Sequence, residues 1–486
     1  MPSSYGDIDP EVFRTQGKQI VDWIADYLSH PERYPVLSRV GPGEVRAKLP
    51  PAPPSRPETL DAILADFQQI ILPGITHWNH PAFFGYFSIT GSMPGILGEL
   101  LTAGLNVNAM LWRTSPAATE LEEIVLGWLR QMVGLPEAFE GVITDTASVS
   151  SLLAVAAARE ALDLKIREEG LAGRPEVPRL RMYCSEQAHS SIEKAGIILG
   201  LGRAGVRQIP VDAVFRMQAD GLADAIAEDR RAGWRPFCVV ATVGTTSTTS
   251  IDPVPAIADI CARENLWLHV DGAYGGNLAV VPEFRHVLAG CERADSIVIN
   301  PHKWLFTPID FSAFYVRQPE VLKRAFSLLP EYLRTAEGDA GAVKNYMDYG
   351  VQLGRRFRAL KFWMVLRAYG AEGIAARLRE HVRLAQWFAA RVDASRDFER
   401  MAPTPMSTVC FRANPAGSYD TGGDRDQLNE ALINAVNATG RAFLSHTKLN
   451  DRFTLRLAIG NLRTTEQHVA QTWELLQAEL SRLIGQ

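Results

Sequence analysis

Cysteine is scarce in this 486-residue chain: Cys184, Cys238, Cys261, Cys291 and Cys410 are odd in number and never stand at the short spacings of zinc sites or redox dithiols. A disulfide framework and a metal-stapled miniprotein are excluded, no metal site is expected, and the thiols should be reduced and mostly buried. Basic charge is not in excess either, because 50 Lys and Arg face 55 Asp and Glu, for a formal net charge of -5. Such a balance lacks the electrostatic footprint of a nucleic-acid or anionic-membrane binder and favours a small-molecule role. Uninterrupted apolar runs of about 18 residues are missing, so no membrane-spanning helix is expected. The opening MPSSYGDIDPEVF has no basic segment leading into an apolar one, which points to a cytoplasmic location.

What is present is ordinary globular composition, 47% hydrophobic and 22% charged, in a chain long enough for several domains. Apolar residues from Val12 to Leu28 recur near helical spacing, so 11–30 reads as an amphipathic helix. The prolines of LPPAPPSRP (49–57) make a stiff extended connector before a second helix over 58–72. Residues 1–90 thus read as an arm laid on a larger body. Over 91–370, helices such as 117–133 and 149–164 alternate with short strand-like runs at 180–184, 206–211, 237–243, 266–270 and 296–299. Several runs are apolar at consecutive positions, as in FCVVATV, the mark of strands covered on both faces in a mostly parallel sheet. A third region, 371–486, carries a helix through His381, strands at 408–411 and 453–459, and helices at 425–439 and 465–483. It reads as a small α+β domain.

Ligands of parallel sheets bind beyond the carboxyl ends of the strands. There SIVI leads into Asn300-Pro301-His302-Lys303-Trp304, and a lysine set just beyond a covered strand is poorly placed to reach water. Desolvation disfavours its ammonium form and makes a nucleophilic amine accessible, as Schiff-base chemistry requires, although a lone lysine is more often structural. Upstream, LWLHVDGAYGG sets Asp271 at the end of another hydrophobic strand. Its competing role is a cap at a strand exit, but a pyridine nitrogen would suit it. At about 4 Å and an effective dielectric near 20 such a pair is worth roughly 4 kcal/mol, enough to keep the ring protonated. In GVITDTASVSS a strand gives way to Thr146, Ala147 and Ser148 at a helix start, where free N–H groups can cup a phosphate or be capped internally. His189 in SEQAHSS and Thr245 and Thr246 in ATVGTT follow two further strands. Five strand ends therefore deliver groups to one edge of one sheet, a pattern more specific than any single motif.

From HWNHPAFFGYF through SPAATELE, SEQAHSS, HVDGAYGG, NPHKW and LLPEYL to LGRRFRALKFW, the chain resembles the pyridoxal-phosphate-dependent group II decarboxylases, in particular their aromatic-L-amino-acid decarboxylase branch. The resemblance implies an α/β, fold-type-I architecture like that of aspartate aminotransferase, with a mostly parallel central sheet, the amino-terminal arm and the small carboxy-terminal domain. It also implies a homodimer with active sites at the subunit boundary. Pyridoxal 5'-phosphate is the implied cofactor, attached to Lys303, paired through its ring nitrogen with Asp271 and stacked on His189. Thr246, Ala273 and His302 would lie nearby, and Thr146, Ala147, Ser148 and Asn300 would surround the phosphate. Tyr332, on a mobile loop with Gly338 and Gly341, would protonate Cα. Relatives with phenylalanine at that position tend instead to release an aldehyde. Trp78, Tyr86 and Phe87 resemble one wall of an aromatic pocket, Met110 the wall from the other subunit, and Gly354 a position left open for an aromatic ring. The expected reaction converts an aromatic L-amino acid into its arylalkylamine and carbon dioxide; an aldehyde synthase and a non-catalytic member are the rivals. Two departures stand out. Where animal relatives commonly read GSAS, this chain has Asp145-Thr146-Ala147-Ser148, so Asp145 is expected to turn away from the phosphate. Ser88-Ile89-Thr90 follows Phe87, leaving open which hydroxyl would meet the substrate.

Overall fold

The computed structural model describes residues 7–328, 330–415 and 422–485. Residues 1–6 of the expected arm, Leu329 of the LLPEYL motif, and 416–421 and 486 of the expected carboxy-terminal domain lie outside them.

Twelve strands are described: β1 (Phe83–Phe84), β2 (Glu140–Thr144), β3 (Arg179–Ser185), β4 (Val206–Ile209), β5 (Trp234–Thr242), β6 (Trp267–Asp271), β7 (Ser296–Ile299), β8 (Ser312–Val316), β9 (Phe398–Arg400), β10 (Thr408–Ala413), β11 (Phe443–Leu449) and β12 (Arg452–Ala458). Seven form one sheet in the order β2-β8-β7-β6-β5-β3-β4. Only β8 runs against its neighbours, so β2, β3, β5, β6 and β7 all end at the same edge. β6 and β7 are buried at every residue, as both-face coverage requires. One face is covered by the helix Ala147–Glu160, whose Leu153, Ala154 and Ala157 pack with Val240, Val298 and Phe314. Against the other lie the helices Pro116–Val133 and Val254–Glu264.

The remaining strands form a second sheet, β1-β11-β12-β10-β9, antiparallel except for the β1–β11 pair. Helix Glu466–Ile484 packs on it through Val469 and Leu476, against Phe411 and Leu457. The helix Ala359–Ala394 serves both cores: Phe362 sits in the large one and Phe388 in the small one, with a bend at Gly370 (φ 64°) between them. Helix Pro10–Ser29 leaves Phe13, Ile20 and Val21 uncovered, and Met93–Leu105 leaves Leu97, Leu100, Leu101 and Leu105.

Several boundaries differ from the sequence reading. The helix expected over 149–164 spans Ala147–Glu160, and Asp163 beyond it is left-handed (φ 53°). That expected over 58–72 is α-helical only at Leu60–Asp66 and widens to a π turn over Phe67–Ile71. The strand expected at 206–211 stops at Ile209 because Val211 bridges to Met217 instead. β1, β8, β9 and β11 were not expected as strands: β1 and β9 are two and three residues long, and β11 alternates too weakly.

Candidate active site

β7 runs into a single helical turn, Pro301–Trp304, entered through Asn300, and this turn fixes Lys303. The Lys303 amide donates to the Asn300 carbonyl at 3.0 Å, and His302 and Trp304 on either side are buried. Burial pushes the Lys303 ammonium below the usual lysine range, against an opposing pull from the Asp271 charge. The Phe311 amide donates to His302 Nδ1 at 3.0 Å, and burial, with Lys303 adding to it, lowers this imidazole to about 3, so it is neutral.

On the neighbouring strand β6, Asp271 is the last residue and is buried, its Oδ1 accepting from the Ala273 amide at 3.1 Å. His189 begins the helix Ser190–Ile198 just beyond β3, and the Ser191 amide donates to its Nδ1 at 3.2 Å. Burial lowers its pKa, Lys303 adds to the fall and Asp271 opposes it, so three strand ends share one electrostatic environment. Beyond β5, Thr245 is buried and Thr246 exposed in a turn that Gly244 (φ 88°) makes possible. A Cβ on Gly244 would lie 2.8 Å from the Gly275 amide nitrogen, so this turn and the one after Asp271 fit only by backbone contact.

The helix Ala147–Glu160 starts at Thr146 with no side-chain cap, leaving its first amides available to an anion. Asp145 bonds at the helix start and across to Gln352: its Oδ1 accepts from the Thr146 amide at 2.7 Å and its Oδ2 from Gln352 Nε2 at 3.3 Å. Beneath this start, hydroxyls link three elements. Ser150 Oγ lies 2.8 Å from Thr144 Oγ1 and 3.0 Å from Ser312 Oγ, and Ser312 donates to Asn300 Oδ1 at 2.6 Å. The sequence reading does not reach Ser312, because β8 is not among its strands, or Ser150, which lies inside the expected helix. An uncapped helix start tied to the lysine turn, with a buried carboxylate two strands from β8, fits a phosphate-bearing pyridine aldehyde.

Phe87 lies flat on Tyr274 (centroids 3.8 Å apart, 14°), Tyr274 on Trp304 (4.6 Å, 5°), and Lys303 Nζ is 5.4 Å from the Phe87 ring centre. Trp78 stacks on the exposed Tyr86 at 5.8 Å. The hydroxyls of Ser88 and Thr90 are buried without a partner among the described residues. Arg456, buried on β12, was also missed. It donates from Nε to the Ser247 carbonyl at 2.8 Å and sets its guanidinium 5.2 Å from the Phe87 ring centre. A charged residue inside the apolar run FTLRLA was the available signal.

Met110, Tyr332 and Gly354 belong to a second group. Leu111, Leu333 and Met347 form a small core with Met110 packed against it, and the Met347 amide donates to the Met110 carbonyl at 3.1 Å. Tyr332, next to Leu333, is 77% exposed. Gly338 lies in a short helix, Ala336–Asp339, which Thr335 caps, so the expected loop is partly helical. A Cβ on Gly354 would meet only Asn108 Nδ2, at 3.9 Å, so the space expected there exists. The buried pair Arg355–Glu122 joins this group to the end of β2: Arg355 Nη2 donates to Glu122 Oε1 and to the Ile143 carbonyl, both at 2.7 Å.

All five cysteines are free and buried, and no group of metal-ligating side chains occurs among the described residues. No described helix is long and apolar enough to cross a membrane.

The pyridoxal-dependent decarboxylase conserved domain matches residues 42–414. The chain is 40% identical to tyrosine decarboxylase 4 of Petroselinum crispum, over 99% of this chain and 95% of that protein. It is 40% identical to a phenylacetaldehyde synthase of a Rosa hybrid cultivar, over 98% of this chain and 96% of that one. Among solved structures, Oryza sativa TDC with PLP and tryptamine superimposes with a TM-score of 0.95 at 37% identity, covering 99% of this chain and 100% of that one. The chain therefore belongs to the pyridoxal-dependent decarboxylases, a fold-type-I family whose cofactor is pyridoxal 5'-phosphate.

Proposed function

We propose that this enzyme decarboxylates an aromatic L-amino acid to the arylalkylamine and carbon dioxide. The observation that carries the reading is the convergence of Lys303, Asp271 and an uncapped helix start on one sheet edge, under an aromatic stack that ends in Phe87. Lys303 supplies the attaching amine, kept nucleophilic by burial. Asp271 would hold a proton on the ring nitrogen, and His189 would lie against the ring. The amides of Ala147 and Ser148, with Thr146 and Asn300, hold the phosphate; Ala273, His302 and Thr246 frame the site. When bound, the cofactor supplies an electron sink for the pair left on Cα as carbon dioxide departs.

Phe87, Trp78 and Tyr86 bind the substrate ring, and the unpaired hydroxyls of Ser88 and Thr90 are the candidates to meet a ring hydroxyl or indole N–H. Tyr332 then delivers a proton to Cα and excludes water and oxygen as its loop closes. Met110, Tyr332 and Gly354 act on the partner's site in a homodimer. The uncovered leucines of Met93–Leu105 and the uncovered Phe13, Ile20 and Val21 of Pro10–Ser29 support that assembly, since clustered exposed apolar side chains suit an interface. The division into 1–90, 91–370 and 371–486 and a cytoplasmic location belong to the same reading.

The similarity to an aldehyde synthase favours one rival, release of an aldehyde with ammonia and peroxide; a tyrosine at 332 weighs against it. Supplying tryptophan, tyrosine, dihydroxyphenylalanine, phenylalanine and histidine separately, and measuring amine, carbon dioxide, aldehyde, ammonia and peroxide, decides between them. The proposal expects amine and carbon dioxide in equal amounts from at least one aromatic substrate. Equal amounts of aldehyde and ammonia would establish the rival.

A further inference from the structure

Beyond β1 the chain turns at Tyr86, whose φ of 53° is left-handed, a conformation that bulky side chains avoid. Gly85 before it is just as confined, because a Cβ there would run into the Phe443 ring. The peptide between Tyr86 and Phe87 sets the direction of both rings. Tyr86 lies 5.8 Å from Trp78 and 5.8 Å from Phe443, whereas Phe87 turns onto Tyr274.

Both backbone polar groups of Tyr86 are held by residues of the second sheet. Its amide donates to Ser445 Oγ at 3.1 Å, and its carbonyl accepts from Arg456 Nη1 at 3.4 Å. Ser445 and Arg456 are register partners on β11 and β12, and the same Nη1 donates to Ser445 Oγ at 3.1 Å. From Nε, Arg456 reaches the Ser247 carbonyl at 2.8 Å, one residue past Thr246, and its guanidinium stands 5.2 Å from the Phe87 ring centre. One side chain thus joins the aromatic wall to the turn beyond β5. Arg456 is buried, and among the described residues no carboxylate is one of the groups acting on its charge. A buried cation without an acid beside it costs stability, so packing alone does not account for an arginine here.

We propose that Ser445 and Arg456 are positioning residues for substrate recognition: together they hold the Tyr86–Phe87 peptide in its left-handed turn and so set the Phe87 ring beside Lys303, whose Nζ is 5.4 Å from the ring centre. The inference rests on the reading of Phe87 as the wall that meets an aromatic substrate. A displaced wall weakens the hold on the substrate ring and leaves Lys303 and Asp271 where they are, so the effect falls on KM.

The test is steady-state kinetics on the aromatic amino acid that the wild-type enzyme decarboxylates best. The variants are Ser445→Ala, Arg456→Met, Phe87→Ala and the double variant Ser445→Ala/Phe87→Ala. Visible absorbance during dialysis reports cofactor affinity, and the thermal midpoint reports stability. Ser445→Ala is expected to raise KM about 5-fold and Arg456→Met about 10-fold, with kcat changed by less than about 2-fold. Cofactor affinity of Ser445→Ala should stay at the wild-type value. Because the pair acts through Phe87, the double variant should exceed the KM of Phe87→Ala by about 2-fold at most, instead of multiplying the two effects. Ser445→Ala removes a single oxygen and decides alone should Arg456→Met not fold. A wild-type KM in Ser445→Ala, whatever its thermal midpoint, would overturn the inference, as would fully multiplied effects in the double variant; either result leaves the decarboxylase reading standing. A wild-type enzyme that decarboxylates no aromatic amino acid would refute that reading and the inference with it.

Discussion

The two parts of the candidate site are built in opposite ways. Lys303, Asp271 and His189 hang from the ends of buried strands in one sheet, with backbone amides and hydroxyls fixing their surroundings. Tyr332 projects from a stretch held mainly by a small apolar core, and the contrast in exposure is wide: 6% for Asp271 against 77% for Tyr332. Groups that must keep a set distance from a cofactor ring gain from a scaffold that cannot move, because misplacement by about 1 Å costs about 10²-fold in rate. A group that must admit substrate, close over it and then deliver a proton needs the reverse. Removing a group from the buried strand ends should therefore damage the reaction for every substrate, and removing the exposed Tyr332 should change which product leaves.

The largest effect tied to this contrast is that of Asp271→Asn, expected to lower kcat/KM by roughly 10³-fold for all aromatic substrates alike, matching the ~4 kcal/mol of the lost ion pair. Steady-state kinetics on two substrates checks it, and a loss confined to one would blur the division. Tyr332→Phe should lower amine formation about 10²-fold while cofactor affinity stays unchanged. Aldehyde, ammonia and peroxide should appear in place of the lost amine. Smallest is Phe87→Ala, expected to raise KM about 10-fold with a lesser effect on kcat, since it removes ring contact at the wall and leaves Lys303 in place. Mixing Lys303→Ala with Tyr332→Phe subunits sharpens the comparison further. If Tyr332 serves the partner's site, the mixture should form amine faster than either variant alone.

How much of this was legible in the sequence followed from the same contrast. Strands β5, β6 and β7 stood out because both-face burial leaves consecutive apolar residues, and the polar residue ending each run marked the edge where ligands bind. The two missed groups failed for different reasons. β8 is also buried at every residue, but it runs antiparallel and delivers Ser312 from its first residue, so its polar group precedes the apolar run instead of following it. Arg456 lies some 150 positions from Lys303 in sequence and meets Phe87 only because the second sheet packs beside the first. The helix start at Thr146 was ambiguous in the sequence between an internal cap and an anion cup. In the structure Thr146 makes no side-chain cap, while Asp145 accepts from the Thr146 amide and from Gln352.

One measurement bears most directly on the central claim. The purified enzyme, loaded with pyridoxal phosphate, is reduced with borohydride, digested, and its pyridoxyl peptide sequenced by mass spectrometry. A single modified site at Lys303 is predicted, with the visible absorption of the cofactor lost on reduction. A label spread over other lysines, or none on the NPHKW peptide, would contradict the account.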